Sequence, residues 1–169
     1  MYQINSDRDQ LVVSKIAEQF KDTVLQQERF TDMLCITVKP GVIADVLLFL
    51  REDEQLQYNF LTTLCGMHYP EKRQLGVVYH LHSFSHNHRI RIKTAIPESD
   101  PVISTVTEIW PAANWMERET YDFFGIRFDG HPQLKRILNL DDMEGFPLRK
   151  EFPLEDQTRE DKDDSMFGR

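Results

Sequence analysis

The feature that most constrains the fold is a run of alternating side chains between Gln74 and Ile96, interrupted once by a polar turn. On one face of this run stand apolar residues: Val77, Tyr79, Leu81, Ile90, Ile92 and Ile96. Because successive side chains of a strand point to opposite faces, the run predicts an antiparallel hairpin with one core face and one polar face. Pro97 ends the second strand, since proline cannot donate to a sheet.

Weaker patterns complete the expected architecture. Apolar residues at helical spacing predict a first helix from about Asp9 to Phe20 and a second helix over 42–50. Strands are expected at Met33–Val38 and Tyr58–Leu64, whereas Val102–Trp110 is expected to be helical. The economical fold is α+β, with a mixed or antiparallel sheet of about four strands covered by helices on one face.

The chain length and the distribution of charge predict one domain and an acidic tail. Its 169 residues fit one domain, which we expect to span residues 1–140, followed by an extended acidic C-terminal tail at 141–169. The tail holds ten acidic and five basic residues, and so contributes −5 to a net charge of −8. This balance opposes nucleic-acid binding, which needs a basic surface, and favours a tail that is solvated or bound to a partner.

The sequence offers no membrane span. The longest apolar candidate, Val42–Leu50, is interrupted by Asp45 and falls short of the roughly 20 residues that cross a bilayer. The first ten residues are polar, unlike a signal peptide. We therefore expect synthesis and residence in the cytoplasm.

Signatures of catalysis and of cofactor binding are missing. The glycines form no phosphate-binding loop, and Cys35 and Cys65 are too few for an iron–sulfur cluster, which usually takes four thiolates. Four histidines cluster in the hairpin: His80, His82, His86 and His88. A metal-dependent enzyme using them is disfavoured, because the basic side chains on the facing strand, Arg89, Arg91 and Lys93, would repel a divalent cation. We predict no catalytic, cofactor-binding or metal site in this chain.

The region after Asn114 carries the densest pattern. Asn114 and Glu117 have the spacing of a capping box, which predicts that a short helix begins there. Arg118 and Asp122 are four residues apart and are expected to pair across one turn, and Gly125 is expected to end the helix.

Two Gly-aromatic-Pro turns follow this helix, Gly130-His131-Pro132 and Gly145-Phe146-Pro147. Proline restricts the residue before it to extended conformations, so both turns should be stiff. Each turn leads within a few residues to a leucine and then to basic side chains. Arginines on a stiff loop beside aromatic anchors are typical of a protein interface, although ordinary surface turns remain the alternative.

This region resembles the signature of the thirty-kilodalton subunit of respiratory complex I. The resemblance rests on an ordered set of residues: Glu117-Arg118-Glu119, Tyr121-Asp122, Phe124-Gly125-Ile126, Phe128, Gly130-His131-Pro132, Leu134, Arg136-Ile137-Leu138, Gly145 and Pro147-Leu148-Arg149-Lys150-Glu151-Phe152-Pro153. Phe146 departs from the pattern, because the family more often has histidine there. The upstream order of helices and strands also fits the family's domain.

The resemblance implies a non-catalytic structural subunit without a cofactor of its own. Such subunits pack beside the large quinone-site subunit in the peripheral arm, on the cytoplasmic side of the inner membrane, and their C-terminal extension runs over the neighbouring subunit. The assembled complex passes electrons from NADH through FMN and iron–sulfur clusters to a quinone and couples this transfer to proton translocation. The residues that we expect to close the domain and contact the partner are Glu117, Arg118, Glu119, Asp122, His131, Arg136, Arg149 and Lys150.

A second hypothesis keeps the fold and changes the assembly. The related domain of membrane-bound nickel–iron hydrogenases can be fused to a large subunit that carries nickel-binding cysteines. This sequence has no such cysteines, which favours the complex I alternative.

Overall fold

The structure, a computed structural model, describes residues 6–30 and 33–153. The helices and strands in these residues are, in order, α1 (Ser6–Gln19), β1 (Val24–Phe30), β2 (Met33–Val38), α2 (Ile43–Glu52), β3 (Phe60–Tyr69), β4 (Gln74–Ser83), β5 (His88–Pro97), β6 (Val102–Ser104), α3 (Ala113–Phe124) and β7 (Arg127–Asp129). The predicted acidic tail is described only from 141 to 153, and its remainder, 154–169, lies outside the described residues.

Five strands form one mixed sheet in the order β1-β2-β5-β4-β3. β2 and β5 run parallel, and the other neighbours are antiparallel. The predicted hairpin is confirmed, since β4 and β5 pair from Gln74 opposite Pro97 to Ser83 opposite His88. The α+β class is also confirmed, and this sheet has one strand more than the expected four, while β6 and β7 form a separate two-stranded sheet.

The additional strand is β1, and its composition explains why the sequence pattern missed it. It lies at an edge of the sheet, and each of its seven residues is exposed or only half-buried. An edge strand that buries little apolar surface has no need for strict alternation, so Gln26, Gln27 and Glu28 give no strand signal.

The core lies between one face of the sheet and the helices. Val12 and Ile16 of α1 and the apolar stripe of α2 are fully buried in one cluster with the inward residues of the hairpin. Along the paired strands, these inward residues alternate with residues on the opposite, polar face of the sheet. α3 packs along the other edge of the sheet, against β3.

The prediction of a helix over Val102–Trp110 is wrong. The segment begins with β6, which pairs in parallel with β7 beyond α3. The next residues form a turn in which the Thr105 hydroxyl accepts the Thr107 N–H at 3.2 Å. Side-chain bonding of this kind to the nearby backbone competes with helix formation, and β-branched residues such as these favour extended structure.

The predicted start of α3 also needs correction. The helix begins at Ala113 and its N-cap position is Ala112, which makes no side-chain capping bond, so Asn114 lies within the first turn. Glu117 does not reach back to complete a capping box, because its carboxylate binds the turn after β6. The predicted end is confirmed, since Gly125 has a left-handed backbone (φ 74°) and its N–H donates to Tyr121 O.

Candidate functional site

After β7 the chain returns along α3. Residues 130–153 form turns, with no helix or strand in this described stretch, and we call them the strap. Both predicted Gly-aromatic-Pro turns lie in it, and each begins at a glycine with φ of 82°, at Gly130 and Gly145. Glycine is favoured at such a backbone conformation, so the two turns fix the course of the strap.

Asp122 is the centre of the contact between α3 and the strap. Its carboxylate is fully buried and accepts the backbone N–H groups of Ile137, Leu138 and Asn139 at 3.0, 2.8 and 3.0 Å. The Asn139 side-chain amide and Arg136 Nη1 each donate at 3.0 Å. Burial alone would raise the pKa of Asp122, but the bonds from Asn139, Leu138 and Ile137 hold that pKa well below its usual range. The side chain therefore stays ionised and clamps three consecutive strap residues.

Two arginines extend this clamp. Arg136 pairs with Asp122 through Nη1, and its Nη2 donates to the carbonyls of Met143 and Gly145 at 2.9 and 3.1 Å. Arg118 donates to the carbonyls of Lys135 and Arg136, both at 3.1 Å. The predicted pairing of Arg118 with Asp122 is wrong, because each of these described side chains binds the strap instead.

Arg149 fastens the far end of the strap to the end of α3. Its Nε donates to the Phe124 carbonyl at 2.7 Å, and its guanidinium lies 4.8 Å from the centre of the Phe146 ring. A cation is favourable there because the last carbonyls of a helix carry partial negative charge. The Phe146 ring covers Gly125 so closely that a Cβ at that position would overlap it. Phe146 is therefore an apolar packing residue in this chain.

Glu117 is buried on another side of α3. Its carboxylate receives the Val106 N–H at 2.7 Å and the Thr105 hydroxyl at 2.5 Å. Burial raises the pKa of Glu117 to about 7, and these two hydrogen bonds offset only part of that effect. The side chain joins α3 to the turn after β6 and contributes a partly protonated carboxyl at neutral pH.

The eight residues singled out from the sequence thus separate into two groups. The polar groups of six of them bind their own chain: Glu117, Arg118, Asp122, His131, Arg136 and Arg149. His131 is half-buried, and its Nε2 lies 3.2 Å from the Asn114 carbonyl. Glu119 and Lys150 have exposed side chains. The geometry assigns the first group to closing the domain, and contact of all eight with a partner stays a prediction.

A residue that sequence reasoning missed, His68, anchors the end of the described strap. Its ring is buried on β3, and its Nδ1 accepts the Lys150 N–H at 2.9 Å. Glu98 and Glu151 lie beside the ring, which gives the three side chains the spacing of a metal site. Because Nδ1 accepts a backbone N–H, the neutral ring carries its proton on Nε2, which then has no lone pair for a metal. Arg149 also lies 3.6 Å from Glu98 and 3.8 Å from Glu151 and supplies the positive charge.

His80 and His82 lie on one face of the sheet, and His88 lies on the other. His80 and His82 accept Nε–H groups of Arg91 and Arg89 at 2.8 and 3.0 Å on the polar face of the sheet. His88 lies on the core side, between the Tyr58 hydroxyl at 2.6 Å and Asp9 at 2.9 Å.

The two cysteines are also apart. Cys35 is on β2 and Cys65 on β3, with β5 and β4 between them, so their backbones are separated by roughly 14 Å at the usual strand spacing. They do not fit a shared iron–sulfur cluster.

Large apolar side chains are exposed on the strap and beside it. Leu138 and Leu140 are 67% and 75% exposed, and Leu148 is 51% exposed. Trp115 on α3 is 60% exposed and lies under the Arg118 guanidinium, 5.0 Å from its ring centre. The interface candidates chosen from the sequence were all charged residues or His131, so these exposed apolar residues were not among them. Asp122 accepts the backbone N–H of Leu138, and the Phe123 carbonyl accepts that of Leu148 at 3.1 Å, so these two leucines are exposed on a backbone that is held to α3.

Comparison with known proteins identifies the family. A sequence profile described as "Respiratory-chain NADH dehydrogenase, 30 Kd subunit" matches residues 36–158. A subunit of the NADH-quinone oxidoreductase of Roseiflexus castenholzii is 46% identical over 144 residues, which cover 85% of this chain and 83% of the relative. The subunit of the same name from Geobacter sulfurreducens is 40% identical over 150 residues, covering 88% of this chain and 91% of the relative.

Two solved structures support the same family. A chain of the archaeal membrane-bound sulfane sulfur reductase, a respiratory membrane complex, superimposes with a TM-score of 0.74 at 26% identity, covering 87% of this chain and 86% of that chain. The trypsin-resistant fragment of Nqo5 superimposes with a TM-score of 0.61 at 28% identity, covering 73% of this chain and 99% of the fragment. None of the helices in the described part is long and apolar enough to cross a membrane. The chain belongs to the family of the 30 kDa subunit of respiratory-chain NADH dehydrogenase.

Proposed function

We propose that this chain is a non-catalytic structural subunit in the peripheral arm of a proton-translocating NADH:quinone oxidoreductase. It packs beside the quinone-site subunit on the cytoplasmic side of the membrane. FMN and the iron–sulfur clusters belong to other subunits of the complex, and this chain holds no cofactor or metal of its own. Its acidic segment, residues 141–169, contacts the neighbouring subunit, and the described part of it does so while packed against α3 and β3 of its own chain.

The observation that carries this proposal is the combination of a rigid strap and exposed leucines. Three hydrogen bonds from consecutive backbone N–H groups to Asp122 fix the backbone of residues 137–139, which include Leu138. Leu138 and Leu140 each expose more than half of their surface to solvent. Exposed apolar side chains of this kind add no stability to an isolated chain. A preorganised apolar surface loses little entropy on association, which suits a permanent interface.

The chemistry of the site also favours a structural role. The buried arginines and Asp122 all bind backbone groups or each other, so none of these charges is directed at a substrate. The named relatives are NADH-quinone oxidoreductase subunits, which favours complex I over the hydrogenase alternative.

The proposal is tested by placing a charge in the apolar surface. Leu138→Asp together with Leu140→Asp should reduce the amount of chain found in the assembled complex by about tenfold or more, because central apolar anchors of an interface contribute about 2 kcal/mol or more each. The measurement is native electrophoresis of solubilised membranes, with NADH:quinone activity in parallel.

The matched control is Leu25→Asp, because Leu25 is 57% exposed on the distant edge strand β1. It should leave assembly unchanged. Unfolding of the purified variant chains should show that the double substitution leaves the fold intact. Normal assembly of the double variant would refute the strap as the interface.

A further inference from the structure

A groove opens between α3 and β3, the strand at one edge of the sheet, beside the strap. Residues of all three elements line it, among them Cys65, Gly66, Glu119, Phe123, Phe124 and Leu148. We call it the β3–α3 groove. Its volume is about 260 Å³, which is below the roughly 300–1,000 Å³ of sites that hold small molecules. This size suits a side chain of another polypeptide better than a whole cofactor.

The apolar walls of this groove are held in place. The Phe124 ring lies against Gly66 so closely that a Cβ there would overlap it, and glycine therefore lets α3 approach β3. Phe123 and Leu148 are tied together, since the Leu148 N–H donates to the Phe123 carbonyl at 3.1 Å. A wall that is already ordered loses little entropy when a partner side chain packs against it.

The groove is continuous with the exposed surface of the strap. Leu148 belongs to both, because it is an exposed strap residue and also lines the groove. On α3, Trp115, Glu119 and Phe123 are spaced four residues apart, which places them on one side of the helix. Trp115 is exposed at one end of this row, and Phe123 lines the groove at the other. A polypeptide that docks on Leu148 therefore also meets the groove.

Glu119 sets the charge of the groove. It is the only charged residue among those that line the groove, and it forms no ion pair or hydrogen bond with another described residue. The charge of Arg91 also reaches the Cys65 thiol, but Arg91 does not line the groove, and its Nε donates to His80 at 2.8 Å. The whole chain carries −8, so an exposed carboxylate here favours a partner with a cation.

We propose that the β3–α3 groove receives a large apolar side chain from a neighbouring subunit of the complex, while a lysine or arginine of the same segment pairs with Glu119. The inference rests on the proposed function and deepens it, because it names the chemistry of the partner segment. An anchor side chain in a well-packed pocket is where an interface concentrates its binding energy. Docking excludes water from the groove, which strengthens the ion pair and covers the Cys65 thiol.

The natural cysteines report on this docking without any substitution. In the purified chain N-ethylmaleimide should react with the exposed Cys65 thiol, whereas Cys35 is buried and reacts only if the chain unfolds. The same reagent is then applied to the complete complex in membranes, and the two cysteine peptides are quantified by mass spectrometry. Cys65 should react about tenfold more slowly, or slower still, in the complex than in the purified chain.

Leu25→Cys is the matched control, because Leu25 is exposed on the distant edge strand β1. Its thiol should react at the same rate in the purified chain and in the complex. The inference is overturned if Cys65 reacts equally fast in the two preparations, or in neither.

A photoreactive residue identifies the partner segment. When p-benzoylphenylalanine replaces Leu148 in the complex, the expected product joins position 148 to another subunit, at a segment with a large apolar residue beside Lys or Arg. Glu119→Lys places like charges opposite each other and should lower the yield of this product by about tenfold or more. Glu18→Lys reverses an exposed charge on α1 and should leave the yield unchanged. An equal yield in the two variants contradicts the ion pair.

The remaining outcomes separate the two proposals. Cross-links from position 148 only to an acidic segment, to a second copy of this chain, to residues 154–169 of the same chain, to lipid, or to nothing overturn the inference. When p-benzoylphenylalanine replaces Leu138 instead, a cross-link to another subunit supports the structural role. Such a product, combined with a Cys65 thiol that stays reactive in the complex, refutes the groove alone. Absence of the unsubstituted chain from the purified complex refutes both proposals.

Discussion

Two carboxylates on α3 are equally buried and differ in their charge state. Asp122 faces the strap and Glu117 faces the turn after β6, and neither exposes any surface. The pKa of Asp122 lies well below its usual range although burial opposes this, whereas burial raises the pKa of Glu117 to about 7.

The difference follows from the donors that surround each carboxylate. Asp122 receives three backbone N–H groups, one amide and one guanidinium. Glu117 receives hydrogen bonds from one backbone N–H and one hydroxyl. Its other neighbour, Tyr79, is uncharged and does not replace the guanidinium that pairs with Asp122. Burying a charge is costly unless hydrogen bonds and an opposite charge replace water, and only the strap supplies enough of both.

The contrast explains how the two sides of α3 respond to change. The strap side is an ionic clamp that needs its charge at all physiological pH values. The β6 side tolerates protonation, because a neutral carboxyl still accepts the Val106 N–H. Removing the charge should therefore be damaging at Asp122 and harmless at Glu117.

The largest effect is expected for Asp122→Asn. The amide group of asparagine would present N–H donors to the N–H groups of the strap, so several bonds would be lost and Arg136 would be left unpaired. We expect the free energy of unfolding to fall by about 3 to 5 kcal/mol, the usual cost of breaking a buried pair. Chemical denaturation of the purified chain measures it.

The control for this substitution is Asp45→Asn, since Asp45 is an exposed carboxylate in the first turn of α2. Its effect should stay below about 1 kcal/mol, as is typical of surface charges. A loss for Asp122→Asn no greater than that of the control would contradict the clamp.

A pH-dependent effect is expected for Glu117→Gln. The folded-state pKa of about 7 is above the ordinary value of 4.5, so the folded state binds the proton more tightly than the unfolded state. This contribution to stability is present at low pH and is lost as the pH rises through about 7. Between pH 5 and pH 8 the natural chain should lose about 2 to 3 kcal/mol through this group, and the variant should not.

Unfolding curves at the two pH values check this result. Glu119→Gln removes the charge of an exposed neighbour on the same helix and should leave the pH dependence of the natural chain. An identical pH dependence in Glu117→Gln would show that the buried carboxyl is not the group that titrates.

Much of the fold could be predicted because its signals are local. The β4–β5 hairpin alternates strictly, and Gly125 ends α3 where a left-handed residue is required. The family signature located the strap and its charged residues. These features depend on neighbours within a few positions along the chain.

The partners of the charged residues could not be predicted in the same way. Arg118 and Asp122 have helical spacing, yet their partners are strap residues 14 to 18 positions away. His68 meets the Lys150 N–H across 82 positions, a contact that no local pattern records. β1 escaped notice because an edge strand needs no alternation. Tertiary contacts decided each of these cases.

The smallest effect is expected for Asn139→Ala, which removes one of the five donors to Asp122 and keeps the Asn139 N–H. The pKa of Asp122 should rise towards that of Glu117 but stay below the ordinary value of 3.8, because three N–H groups and Arg136 remain. Carboxyl carbon resonances followed by NMR measure this pKa. The free energy of unfolding should fall by about 1 to 2 kcal/mol relative to the natural chain. Asn59→Ala, at an exposed asparagine, should change neither quantity. If the pKa of Asp122 does not move, the number of donors is not what separates the two carboxylates.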